Sequence, residues 1–153
     1  MIQFLTQTEI NEFLGRQYIG RLACCKDNIP YLIPITYCYD SVDDSVIGYT
    51  GFGKKLHMLR KNPKVCLEVD EIEGLATWRT VIGMGEFIEL RGTDARKALQ
   101  FFVKTIRMLA QKNEQDKHVQ FLKDMANTEI HFSESVIYKI KFYEKTGRCE
   151  HKD

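Results

Sequence analysis

Tyr49-Thr50-Gly51-Phe52-Gly53-Lys54-Lys55-Leu56 is the stretch that decides how this chain is read. A β-prone run (Val46, Ile47, Tyr49, Thr50) leads into two glycines, then two lysines, then residues with helical spacing. That order predicts a strand, a tight turn and a helix N-terminus. Glycine lets a backbone approach a ligand closely. A helix start adds unpaired N–H donors and the positive end of the helix dipole. With the ammonium groups of Lys54 and Lys55 and the Thr50 hydroxyl, these features describe a phosphate seat. The stretch is not a P-loop, because its glycines are two positions apart and Leu56 follows the second lysine where Ser or Thr is required. No third glycine completes a dinucleotide fingerprint. A turn with two solvated lysines fits the same residues equally well.

The chain has 153 residues, which sets one compact domain as the expectation over 1–153. Its apolar content of 44% supports a core, and no apolar run approaches the length of a bilayer span. Gln3, Thr6, Gln7, Thr8 and Glu9 interrupt any export signal at the start. A net charge of +1 gives no electrostatic case for nucleic acid or an anionic membrane. The five cysteines (24, 25, 38, 66 and 149) form no C-x-x-C pair, and four lie in apolar strand-like runs. That usage suits a reducing cytosol, so a cytoplasmic location is expected.

Thr6 and Glu9 fit a capping box ahead of Ile10, Phe13 and Leu14 on one helical face, with Gly15 as the stop. Strands are expected at 18–25 and 30–39 around a Lys26-Asp27-Asn28 turn, then at 45–50 after a polar turn at 40–44. Pro34 cannot donate to a ladder, which places it at an edge, at a bulge or on a face serving something other than a strand. A short helix follows at 54–62 and is stopped by Asn62-Pro63. Further strands are expected at 65–69 and 78–90, separated by a loop at 72–76, with Gly83 and Gly85 marking a bend or a close approach. The strongest helix runs from Asp94 to Ala110 on a stripe of Ala95, Ala98, Leu99, Phe102, Ile106 and Leu109. A weaker helix is expected at about 116–125, a last strand at 136–143 and a frayed tail at about 145–153. Strands without intervening helices exclude a doubly wound sheet. The expected class is α+β, mainly β, as an antiparallel barrel with helices outside.

Nucleophile and metal chemistry find little support. There is no G-x-S-x-G, and the four histidines are dispersed. His57 sits one turn past the lysine pair, where it either faces a ligand or lies on the surface of a short helix. Trp78-Arg79-Thr80 offers a flat apolar face and a guanidinium fork, or simply a strand end with a solvated arginine.

The ordered set of motifs resembles the FMN-binding split-barrel proteins related to pyridoxamine 5′-phosphate oxidase, most of all the branch with the nitroimidazole-resistance proteins. The matching residues are Gly20-Arg21-Leu22-Ala23, Ile29 to Ile35, Gly53-Lys54-Lys55 with Met58-Leu59-Arg60, Asn62 to Cys66, and Trp78-Arg79-Thr80-Val81 before Gly83-x-Gly85. The resemblance implies a six-stranded Greek-key split barrel and a homodimer with FMN in clefts between subunits. It implies that Ile33, Pro34, Ile35 and Thr36 lie under the isoalloxazine, which gives Pro34 a reason. Tyr49, Thr50, Lys54 and Lys55 would hold ribityl and phosphate. Trp78, Arg79 and Thr80 would reach the cleft from the partner subunit. Thr80 stands where this branch often has Ser, and both supply a hydroxyl.

The tail from Tyr143 onward has one arginine, Arg148, and lacks the Arg-rich substrate segment of pyridoxamine phosphate oxidases. The expected function is therefore electron transfer from a reduced nicotinamide through FMN to a small oxidant such as a nitroaromatic or quinone. Its alternatives are a non-catalytic flavin binder, a haem-binding split barrel and a deazaflavin protein. The helical insert at about 94–126 is expected to shape the substrate pocket.

Overall fold

The computed structural model describes residues 1–112 and 135–151. Its elements run β1 (Gln3–Phe4), α1 (Gln7–Arg16), β2 (Ile19–Lys26), β3 (Ile29–Thr36), β4 (Cys38–Asp40), β5 (Ser45–Gly51), α2 (Lys54–Lys61), β6 (Lys64–Gly74), β7 (Thr77–Leu90), α3 (Gly92–Gln111) and β8 (Ser135–Glu150). The helix expected at about 116–125 lies outside the described residues. No helix among the described residues is long and apolar enough to cross a membrane.

The strands form one antiparallel sheet in the order β3-β2-β6-β7-β8-β5-β4, with β1 paired to the end of β8. Six long strands make the split barrel, and the short β1 and β4 are additional to the expected count. The β2–β3 hairpin turns on Asp27 and Asn28, both at positive φ (53° and 62°), as a two-residue turn matched to strand twist requires. Pro34 does sit on an edge strand, where its missing N–H costs no ladder bond.

Pleating sends alternate side chains into two cores. Leu22, Val65, Leu67, Val81, Tyr138 and Ile140 fill the barrel, plugged by Ile10, Phe13 and Leu14 of α1 and by Leu56 and Leu59 of α2. Cys38, Ile47 and Ile137 face the other way and meet Ala95, Leu99, Phe102 and Ile106 of α3. The capping box of α1 is present as expected: Glu9 N–H donates to the Thr6 hydroxyl and Thr6 N–H donates to Glu9.

Several boundaries differ from the sequence expectation. The run expected at 30–39 breaks at Tyr37, whose buried ring turns inward and donates from its hydroxyl to the Leu14 carbonyl at 3.0 Å. α1 passes Gly15 and ends at Arg16. The expected loop at 72–76 is mostly strand, because β6 continues to Gly74. The largest correction is the tail. Instead of fraying, β8 continues to Glu150, pairing with β7 throughout and with β1 at its end. Lys145 is only 9% exposed, and its ammonium donates to Asp44, Asn11 and the Tyr39 hydroxyl.

Among the described residues, the Tyr138 hydroxyl and the Arg79 Nε are buried on the inner side of the sheet without a hydrogen-bond partner. The Tyr138 ring packs 5.2 Å from Phe87 and its hydroxyl lies against Gly48, without a hydrogen-bond partner among the described residues. An unpaired buried hydroxyl costs on the order of 1–3 kcal/mol. Tyr138→Phe should therefore raise stability by about 1 kcal/mol, or about 2–4 °C in Tm. Urea denaturation checks this, and a less stable variant would mean that the hydroxyl is satisfied in solution.

Candidate functional site

β5 ends at Gly51, and the chain turns through Phe52 and Gly53 into α2. Gly53 is the N-cap of α2, and no side chain caps that helix. Its backbone is extended (φ 169°), so conformation does not demand glycine there. A Cβ at Gly53 would meet nothing within 4 Å, so packing does not demand it either. What a side chain would obstruct is approach to the open N–H groups of the first helical turn. The absence of a cap and the absence of a side chain thus leave the same surface clear.

The two lysines differ. Lys54 is exposed, with Nζ 4.7 Å from the centre of the Tyr31 ring on β3. Lys55 is half-buried beside Cys24, and burial lowers its pKa below the ordinary 10.5. Among the described residues, neither ammonium forms an ion pair with a carboxylate. Burying a charge is unfavourable unless it is paired, and among the described residues no carboxylate pairs with Lys55. The donor set of two ammonium groups, open helix N–H groups and an unobstructed glycine fits a phosphate.

Other expected residues divide by strand pleat. Ile33 and Ile35 point into the barrel core, whereas Pro34 and Thr36 lie on its outer face with Leu32. Thr50 is buried and donates to the Gly51 carbonyl at 3.1 Å, at the base of the turn. Tyr49 faces the opposite way, its ring edge-on to Phe102 of α3 at 5.6 Å. His57 is exposed on α2. The chain thus brings Tyr31, Ile33, Thr50, Lys54 and Lys55 toward one end of β3 and β5, while Tyr49 joins the core under α3.

Trp78, Arg79 and Thr80 belong to β7, which is separated from β3 by β2 and β6. Three strand intervals of about 4.8 Å put them about 14 Å away across the sheet. Thr80 donates to Glu68 at 3.1 Å, and Arg21 bonds Asp70 at 2.7 Å with Glu68 3.7 Å away. Burial pushes the Glu68 carboxyl up from its ordinary value. This polar group sits on the outer face, where Arg21 pairs with Pro34 on one side and Glu68 on the other. Around it Ile19, Leu32 and Ile82 are 45%, 65% and 41% exposed. Arg79 points to the inner face and lies 5.7 Å over Phe13, which Arg16 also approaches at 5.2 Å.

Sequence reasoning missed Tyr31, Glu68 and Asp70 as site neighbours. Tyr31 meets Lys54 only because the hairpin folds β3 beside α2, and no local spacing signals that. Arg21, Glu68, Asp70 and Thr80 lie on three strands and are joined only by register.

The comparisons bear on this arrangement. Residues 6–148 match the family model described as pyridoxamine 5′-phosphate oxidase. An uncharacterized protein of Rhizobium meliloti is 30% identical over 92 residues, and the match spans 60% of each chain. A crystal structure of an FAD-binding protein from Mesorhizobium loti shares 25% identity at a TM-score of 0.72, with 99% of each chain covered. A candidate 5-nitroimidazole antibiotic resistance protein from Bacteroides thetaiotaomicron has the same fold, with a TM-score of 0.68 at 14% identity over 97% of this chain and 87% of that one. With nearly the whole chain matched by the family model and the split barrel in place, the chain belongs to the pyridoxamine 5′-phosphate oxidase family.

Proposed function

We propose that the chain is a flavin-binding oxidoreductase that seats the phosphate of FMN on Gly53, Lys54 and Lys55. The observation that carries this reading is Lys55, a half-buried ammonium with no carboxylate partner among the described residues, next to an uncapped helix start. The Mesorhizobium relative described as FAD-binding supports a flavin, and both flavin nucleotides carry the same first phosphate. Bound flavin would supply hydride transfer, passing electrons from a reduced nicotinamide to a small nitroaromatic or quinone. The chain's own part is binding and orientation. Lys54 and Lys55 hold the phosphate through charge-assisted hydrogen bonds, and Thr50 holds the turn that positions them. The backbone of β3 from Ile33 to Thr36 offers an edge with unpaired hydrogen-bonding groups for the ring.

The same reading makes the protein a homodimer. The outer face of β3, β2, β6 and β7 exposes Ile19, Leu32 and Ile82 around a polar centre, which suits apposition of a second copy. Apposition would bring Trp78 and Thr80 of one subunit toward β3 of the other, although β2 and β6 separate them within a chain. Pyridoxamine phosphate oxidase activity itself is not proposed, since the tail is a strand whose one arginine, Arg148, lies 5.4 Å over Phe4.

The spectrum of the protein as purified should carry flavin bands, and reduced nicotinamide should bleach them. A Soret band would replace this reading with haem, and bands that no donor bleaches would leave a flavin carrier. Lys54→Ala with Lys55→Ala should weaken FMN binding at least a hundredfold, from two charge-assisted bonds of about 1.5–3 kcal/mol each. Unchanged affinity would remove the phosphate assignment.

Gly53→Ser separates ligand from fold. A serine N-cap should stabilise α2 by a few tenths of a kcal/mol while its side chain weakens FMN binding severalfold. A variant that gains stability and keeps full affinity would show that nothing approaches Gly53.

Lys55 also sets a pH dependence. Its folded pKa lies below the unfolded value near 10.5, so between the two the unfolded chain binds more protons. Stability without ligand should therefore rise as pH climbs through that window. Lys55→Leu should be the more stable protein at neutral pH, with its advantage shrinking as pH rises. Denaturation of both proteins at several pH values measures this, and a constant difference would contradict it.

A further inference from the structure

A cavity of about 340 Å³ opens on the far side of the glycine turn from Lys54. Its rim is the same backbone: Phe52 stands between Gly51 and Gly53, and Gly51 pairs with Ser135, which also lines the cavity. Ligand sites begin at about 300 Å³, so this volume suits a nucleoside-sized piece rather than a whole dinucleotide. Resting on the flavin-phosphate reading above, we propose that this cavity binds the adenosine 5′-phosphate moiety of an adenine dinucleotide. That moiety has two sources, FAD continuing from the phosphate on Lys54 and Lys55, or a reduced nicotinamide dinucleotide.

The lining supplies each part of the recognition. Phe52 is 62% exposed, a large ring that the cores do not use. Arg60 lies 5.8 Å over that ring and is itself pinned by hydrogen bonds of 3.0 and 2.6 Å to Glu89 Oε1. A fixed aromatic and guanidinium pair is a platform on which a purine stacks. Among the described residues Glu89 Oε2 has Arg91 beside it at 3.9 Å, and it is available to accept from an exocyclic amine. Arg91 is exposed at the mouth, where a second phosphate would emerge from the turn. Ser135 also lines the cavity and brings a hydroxyl-bearing side chain to its wall.

Flavin-free protein titrated with FMN and with FAD, followed by flavin fluorescence, tests the proposal. FAD should bind about tenfold more tightly than FMN, and Phe52→Ala should remove that preference while leaving FMN affinity within twofold. Titrating FMN-loaded protein with AMP separates the sources. AMP binding that Phe52→Ala abolishes, with no preference for FAD over FMN, assigns the cavity to a free adenine dinucleotide, and an FAD preference that Phe52→Ala removes assigns it to the cofactor. Equal affinity for both flavins together with no AMP binding overturns the proposal and leaves the flavin reading standing. Phe52→Ala protein that behaves as wild type in both titrations overturns it likewise. Failure to bind either flavin overturns both.

Discussion

The ladder between β7 and β8 is the constraint on which the other elements depend. It runs from Trp78 opposite Glu150 to Leu90 opposite Ile137, and it closes only because glycine stands at 83 and 85. A Cβ at Gly83 would collide with the Phe142 ring, and one at Gly85 would come within 2.7 Å of Ile140 and of the Lys141 carbonyl. Phe142 therefore crosses the ladder into the barrel core at the place where the register shifts between Met84 and Gly85. One flank of this ribbon carries β6 and, through it, β2 and β3. The other carries β5, whose last residue starts the glycine turn. Both walls of the candidate site are hung on the same two strands.

What could be read from the sequence follows where side-chain chemistry is local. The hairpin at Asp27-Asn28, the capping box at Thr6, the stripe of α3 and the edge position of Pro34 are each decided within a few residues. The second half of β8 escaped because its inward positions are Lys145, Gly147 and Cys149, which carry no alternating apolar signal. Each is made strand-compatible from elsewhere. Asp44 and Asn11 meet the Lys145 ammonium, while Leu5 and Ile10 fill the space over Gly147. The break at Tyr37 escaped for the same reason, since its partner is the carbonyl of Leu14 in α1. In the site, the glycine and lysine turn was legible as a local pattern. The separation of β3 from β7 was not, because it follows from strand order.

The outer face of β3, β2, β6 and β7 combines two properties that rarely coexist on a solvated surface. Its rim is apolar and its centre is a compact chain in which Asp70 meets Arg21, Arg21 meets Glu68 and Thr80 donates to Glu68. Arg21 keeps its charge beside two carboxylates, and Glu68 is half-buried even without a neighbour over it. Neutral polar groups already satisfied within a chain can be covered at little further cost, whereas paired charges still lose their hydration when covered. One guanidinium offsets only one of the two carboxylates, so covering this face would favour the protonated form of Glu68, whose carboxyl burial already pushes up.

Two lysines withdrawn from water show what the fold does with such a charge. Lys145 is surrounded by Asp44, Asn11 and the Tyr39 hydroxyl, and its carbonyl is bonded by Gln7. Every donor direction around it is met by an element packed there for core reasons. Lys55 is likewise drawn inward beside the thiol of Cys24, whose pKa burial raises, and among the described residues no carboxylate balances the ammonium. The same chain that matches one lysine closely leaves the other uncompensated, beside a helix start that no side chain caps and a glycine that neither backbone nor packing requires. Three separate departures from the usual rules of stability meet at one turn. An anion is the one agent that would resolve the two electrostatic departures, and room for it is what the glycine supplies.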